Sequence, residues 1–149
     1  MNLALVAVVA VVVTLALSWA YFTAQRLNRL HIRVDASLQN LAAALDRRAA
    51  LIEALDPGAA SQAKAAHGIP LEPALFDDRA AAERQMMEAC TSTHPSIVDA
   101  SARVELAHRF YNEAVSDTRS LRIRPLVRTF RLGGTAKLPV YFELRTSGL

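Results

Sequence analysis

The first 25 residues contain no Asp, Glu, Lys, Arg or His, and residues 3–22 are almost entirely apolar. An α-helix rises about 1.5 Å per residue and the hydrocarbon core of a bilayer is about 30 Å thick, so a run of this length crosses it once. Trp19 and Tyr21 lie at the end of the run, where amphipathic rings favour the headgroup region. We therefore expect residues 1–25 to form a transmembrane anchor.

Two other interpretations of the apolar run are less favoured. A cleaved signal peptide has a basic start and a shorter apolar run of about 7–15 residues. A buried core helix would need protein on every side, which a chain of 149 residues cannot supply. Arg26, Arg29 and Arg33 follow the run and no basic residue precedes it. The positive-inside rule then predicts that the N-terminus lies outside and the remainder of the chain in the cytoplasm.

The chain beyond the span is expected to be helical. Apolar residues recur at steps of three and four from Leu27 to Leu55, the spacing of an amphipathic helix. No Gly or Pro interrupts residues 2–56, so the spanning helix is expected to continue until Asp56-Pro57-Gly58 stops it. The single cysteine, Cys90, excludes an internal disulfide.

Two further helices are predicted after residue 56. Residues 74–89 form the second, and a third runs from a Ser96-x-x-Asp99 start signal to about residue 120. Residues 57–73 read as a connector, with at most a weak helix at 59–67. The fold class is therefore all-α, a transmembrane helix continuing into an antiparallel bundle of about three helices over residues 26–120. Four side chains are expected to face one another there: Leu41, Leu45, Val104 and Tyr111.

The tail, residues 121–149, is basic and apolar. Seven basic residues and one acidic residue lie between 119 and 145. Contact with anionic lipid headgroups is the most specific hypothesis for it, and a charged surface helix or a flexible tail are plainer ones. Nucleic-acid binding is not expected, because few aromatic rings are present to stack on bases. In an antiparallel three-helix arrangement, we expect this tail to begin at the end of the bundle farthest from the span. The candidate lipid contacts are Arg119, Arg122, Arg124, Arg128 and Arg131.

The chain shows no arrangement typical of catalysis. Its four histidines lack metal-ligand spacing and are expected to be solvated, and Cys90 has no evident base beside it. Arg47-Arg48 reads as a solvated helix face, and Tyr111-Asn112 as a packed pair in the core. We expect no enzymatic activity, no cofactor and no metal.

Three blocks of sequence carry a resemblance. They are Arg33-Val34-Asp35 with residues 45–52 (LDRRAALI), residues 102–104 (ARV) with 109–115 (RFYNEAV), and residues 124–126 (RPL), 130–132 (FRL) and 141–143 (YFE). In this order they resemble the LemA family of small bacterial membrane proteins. The positions that match family motifs are Arg47, Arg48, Leu51, Ile52, Arg103, Tyr111, Asn112, Pro125, Phe130 and Phe142.

The resemblance implies a single-pass membrane protein with a helical-bundle domain and no catalytic residues. A non-enzymatic scaffold or interaction module at the bacterial inner membrane is expected, with the lipid bilayer and a membrane protein or a second copy as partners. The alternative is an accessory subunit of a membrane-linked enzyme or transport complex. That role would need a polar cluster in the bundle core, and the alanine-rich middle of the chain predicts none. The chain departs from the family at Leu38 and residues 42–44, where polar groups are lost, and in a shortened middle section.

Overall fold

The computed structural model describes residues 2–144, and this part of the chain is helical, with no strand. The tail beyond residue 144, including Arg145, lies outside the described residues. The all-helical fold class is confirmed. The helices are α1 (Leu3–Leu55), α2 (Ala60–His67), α3 (Phe76–Ala89), α4 (Pro95–Arg122) and α5 (Pro125–Thr129), with one turn of 3-10 helix at Pro73–Leu75.

Helix α1 runs unbroken through the apolar stretch and beyond it. Residues 2–19 are all exposed, so this stretch is not a core helix of the described structure. It is long and apolar enough to span a membrane. The Thr14 hydroxyl donates to the Ala10 carbonyl at 2.8 Å, which satisfies it within its own helix. The helix ends before Asp56, as the Asp56-Pro57-Gly58 sequence predicted.

Helices α1 and α4 form the main helix pair, and they are antiparallel. Leu27 and Leu121 share a buried cluster at one end of the pair, and Ile52 and Ile97 share another at the opposite end. The main core lies between these ends. It contains the four side chains that were expected to face one another: Leu41, Leu45, Val104 and Tyr111.

Helices α2 and α3 pack at the end of α1 farthest from the apolar stretch. Alanines of and beside α2, including Ala63 and Ala66, lie against Ile52. Because alanine is small, they let α2 approach α1 closely. Helix α3 then runs from Phe76 in the main core to Met86 in the Ile52 cluster, so it is parallel to α1.

The expected direction of the third predicted helix, which is α4 in the structure, was wrong. The chain turns back along α1 through α2 and residues 68–75, a return that the weak apolar stripe of residues 60–67 concealed. Because of this extra reversal, the helices after it run opposite to the expected directions. Helix α4 therefore returns to the end of α1 beside the apolar stretch. The tail begins there, instead of at the far end of the helices.

The start of α4 also differs from the prediction. Pro95 is the first helical residue, and the His94 ring Nδ1 accepts the Ser96 backbone N–H at 3.2 Å. Asp99 does not cap the helix, because its carboxylate pairs with Arg103 at 2.9 Å. Proline suits this first position since it has no N–H to leave unpaired.

Candidate functional site

The end of α4 and helix α5 lie beside the point where α1 leaves its apolar stretch. Leu27, Leu121 and Val127 form one buried cluster there. Leu27 follows Phe22 by five residues, or about 7.5 Å along a helix axis. The headgroup layer is roughly 5–8 Å deep on each side of a bilayer. A membrane around residues 3–22 would therefore present its headgroups at the level of this cluster.

The five arginines proposed for lipid contact divide into two groups. Arg119 donates to the Pro139 carbonyl at 3.1 Å, and its guanidinium lies 5.4 Å from the centre of the Tyr141 ring. Arg122 donates to the Ala136 carbonyl. These two side chains fasten the C-terminal segment to α4. The other three are exposed, with no side-chain hydrogen bond or ion pair to any residue within 2–144: Arg124, Arg128 and Arg131.

Exposed apolar side chains accompany these three arginines. Ile123 is 68% exposed, Leu126 58% and Phe130 63%, while Val127 is buried and holds α5 in place. Exposed apolar and cationic side chains within one short segment are typical of segments that lie in a membrane interface. We call the set Ile123, Arg124, Leu126, Arg128, Phe130 and Arg131 the juxtamembrane surface.

The C-terminal segment, residues 136–144, lies along α4 without helix or strand of its own. The Asn112 amide accepts the Phe142 N–H and donates to the Phe142 carbonyl, both at 3.1 Å. The His108 ring Nε2 lies 2.6 Å from the same carbonyl. The Tyr111 hydroxyl donates to the Val140 carbonyl at 2.6 Å. Side chains of α4 thus hold this segment by its main chain.

The Phe142 side chain is fully buried in the main core. Its ring meets Phe76 edge-on at 5.1 Å between centroids, and Phe76 meets Tyr111 in the same way at 6.1 Å. Burial raises the pKa of Tyr111 to about 12, with a smaller contribution from Asp35.

These contacts settle two expectations about α4. The prediction that Tyr111 is buried with a bonded hydroxyl is confirmed. His108, expected to be solvated, is half-buried, because the returning segment covers it. The same segment gives Asn112 a role beyond core packing.

A buried ion network joins α1 to α3. Arg48 pairs with Glu83 at 2.8 Å, Arg79 pairs with Glu83 at 2.9 Å, and Arg79 also reaches Asp46 at 2.9 Å. Arg48 is only 6% exposed, so its expected place on a solvated face was wrong, while Arg47 is exposed as predicted. Arg48 is buried because the register of α3 on α1 places Glu83 next to it.

This network is the polar core cluster that the sequence did not predict, and on which the accessory-subunit alternative depends. Both Glu83 oxygens accept from guanidinium groups, one from Arg48 and one from Arg79. Each oxygen of this carboxylate is thus engaged by one guanidinium group, one of them from α1 and the other from α3. The network therefore joins α1 to α3 through buried ion pairs.

The turn after α1 is held by one carboxylate. Asp56 accepts the backbone N–H groups of Thr91 and Ser92 at 2.8 and 2.9 Å, and that of Gly58 at 3.1 Å. The Thr91 and Ser92 N–H groups lower the pKa of Asp56. Burial and the nearby Asp56 raise the pKa of the Cys90 thiol, the reverse of what a nucleophilic thiolate needs. Residues 2–144 contain no group of three His, Cys, Asp or Glu side chains placed to hold a metal.

The positions that carry the family resemblance do not converge on one site. Leu51 and Ile52 pack in the cluster at the far end of the helices, and Arg103 lies exposed on α4. Pro125 opens α5, and Phe130 is exposed beside it. Three of these positions do lie together: Tyr111, Asn112 and Phe142, where the C-terminal segment packs on α4. Comparisons with protein families, with characterised proteins and with solved structures find no match to this chain.

Proposed function

We propose that this chain is a single-pass inner-membrane protein of the LemA type, with a cytoplasmic bundle of about three main helices that rests on the inner leaflet. Its role is that of a non-enzymatic scaffold or interaction module. The observation that carries the proposal is the contact between Leu27 and Leu121. This contact brings the juxtamembrane surface to the level at which a bilayer around residues 3–22 has its headgroups.

The electrostatics of the juxtamembrane surface favour an anionic leaflet. Arg124, Arg128 and Arg131 are exposed, and each basic residue near an anionic surface contributes about 1 kcal/mol. Guanidinium groups bind phosphates through paired hydrogen bonds. Ile123 and Phe130 add shallow apolar insertion. Together these groups hold the membrane-proximal end of the domain against the lipid.

The outward face of α4 supports the interaction role. Leu106 and Phe110 are about half exposed, and with Ser37 and Asn40 they line a shallow groove against α1. Exposed apolar side chains beside a groove are typical of contacts with another protein. A domain fixed by its base to the membrane would present this face to neighbouring membrane proteins.

The lipid contact is tested on the full chain in nanodiscs, with an environment-sensitive dye at residue 126 of a Cys90→Ala, Leu126→Cys variant. We expect the dye to report an apolar environment as the fraction of anionic lipid rises, and added salt to reverse the change. Replacing Arg124, Arg128 and Arg131 by Gln should abolish the response. The matched control replaces three exposed arginines elsewhere: Arg47, Arg84 and Arg109. An equal response on neutral lipid, or equal loss in the control, contradicts the proposal.

A further inference from the structure

Residues 136–142 are held against α4 in the way a receptor holds a peptide. The carbonyls of residues 136, 139, 140 and 142 all accept hydrogen bonds from α4 side chains, and the Phe142 N–H donates to Asn112. Within the described chain, this segment makes no hydrogen bond to the main chain of another element. These main-chain N–H and C=O groups of the segment are therefore bound by side chains of α4, and these bonds do not depend on which side chains the segment carries.

Asn112 shows this most directly. Its amide NH2 donates to the C=O of Phe142, and its amide oxygen accepts the N–H of the same residue. The same clamp fits any residue with a free N–H. Selectivity has to come from the side chain that enters the core at that position. The Phe142 side chain is completely buried there, whereas the two preceding residues, Val140 and Tyr141, are 48% and 40% exposed.

The connection between α5 and this segment is short and mostly exposed. Arg131 and Gly134 adopt positive φ values of 49° and 62°, and most residues between 130 and 138 are exposed. Few buried side chains therefore hold the connection itself in place. Such segments are among the first to open locally in a native protein. This short covalent connection also keeps the segment near its groove, and short linkers of this kind give effective concentrations of order millimolar.

We infer that the groove formed by His108, Tyr111 and Asn112 of α4 with Phe76 of α3 is a binding site for an extended peptide that carries one aromatic side chain. Residues 136–142 occupy it as a tethered ligand of the chain itself. The partner is an extended aromatic segment of another protein, and it competes with this tether. This inference does not depend on the lipid contact proposed above.

The test uses a fluorescent peptide with the sequence of residues 137–144 and the full chain in detergent micelles. The Phe142→Ala chain, whose own segment is weakened, should bind the peptide saturably. The wild-type chain should bind it at least about tenfold more weakly, since the tether competes. A peptide with Ala in place of its Phe should also bind at least about tenfold more weakly, because the buried ring is lost.

The groove side is tested by a second substitution in the same chain. Adding Asn112→Ala should weaken binding at least about tenfold, while adding Ser116→Ala, at an exposed position of α4, should leave the affinity unchanged. A folded Phe142→Ala chain that does not bind the peptide overturns the inference. So does binding that is indifferent to the peptide's Phe or to Asn112.

If circular dichroism shows that Phe142→Ala unfolds the chain, a cleavable version replaces it. A protease site inserted between Gly134 and Thr135 of the wild-type sequence leaves every groove contact intact. After cleavage, the labelled peptide should displace the chain's own segment. A cleaved chain that keeps its segment and admits no labelled peptide overturns the inference.

Discussion

Leu27 of α1 packs against Leu121 of α4 at the end of the helix pair nearest the apolar N-terminal stretch. This one contact decides where the basic tail lies. With the opposite direction of α4, the same arginines would lie at the far end of the helices, beyond the reach of any bilayer that holds residues 3–22. The orientation of α4 is therefore central to the functional proposal.

The main core should be sensitive to cavity formation at Leu45. This side chain is fully buried, and Leu45→Ala should lower the free energy of unfolding by about 2–5 kcal/mol. Leu55→Ala, at a position that is 39% exposed, should change it by less than about 0.5 kcal/mol. Chemical denaturation followed by circular dichroism measures both. Equal stabilities for the two variants would mean that the cluster is not a core.

Removing the Glu83 carboxylate from the ion network should lower the stability of the protein. Glu83→Ala leaves the guanidinium groups of Arg48 and Arg79 buried without their shared carboxylate, and we expect a loss of about 3–5 kcal/mol. Asp99→Ala removes only the exposed partner of Arg103 and should change stability little. Thermal melts of the two variants beside the wild type give the comparison. A Glu83→Ala chain as stable as Asp99→Ala would show that α1 and α3 are not joined in this way.

Asp56 should make stability depend on pH in the acid range. Its folded pKa lies below the ordinary value of 3.8 because backbone N–H groups bind the charged form. The stabilisation is therefore fully present above about pH 4 and is lost as the pH falls through the lower, folded pKa. Asp56→Asn should be less stable than wild type at neutral pH, and the difference should shrink on acidification. Unfolding measured across this range checks the sign, and a difference that grows towards low pH would contradict it.

The direction of membrane insertion should follow the arginines after the span. Arg26, Arg29 and Arg33 predict a cytoplasmic C-terminus. An alkaline phosphatase fused to the C-terminus should be inactive in cells, because it folds only after export. A fusion to a reporter that works only in the cytoplasm should be active and serves as the matched control. An active phosphatase fusion would show the reverse topology.

The sequence predicted the long helix and the main core because these depend on local periodicity. Leucines at steps of three and four continued from the apolar stretch to Asp56, and they pack on α4 as expected. Pro125 disfavours a helical conformation at Arg124, and it is the first residue of the separate helix α5. Both features are set by residues close together in the chain.

The sequence did not predict contacts that depend on counting and registering helices. Residues 60–67 show almost no apolar stripe, because alanines bury little surface while still packing closely. A prediction without this helix gives α4 the opposite direction to the one observed. Arg48 and Glu83 resemble ordinary surface charges until the register of α3 brings them together. The clamp of Asn112 on Phe142 joins residues on separate elements, and no local pattern marks it.

The most direct test of the account measures the depth of the tail in a bilayer. A single tryptophan is placed at residue 130 (Trp19→Phe, Phe130→Trp), and bilayers carry bromine quenchers in the headgroup region or deep in the acyl chains. The control places the tryptophan at residue 55, at the other end of the helices. The account predicts headgroup-level quenching of the tryptophan at 130 on anionic bilayers and none at 55. Equal and negligible quenching at both positions would contradict it.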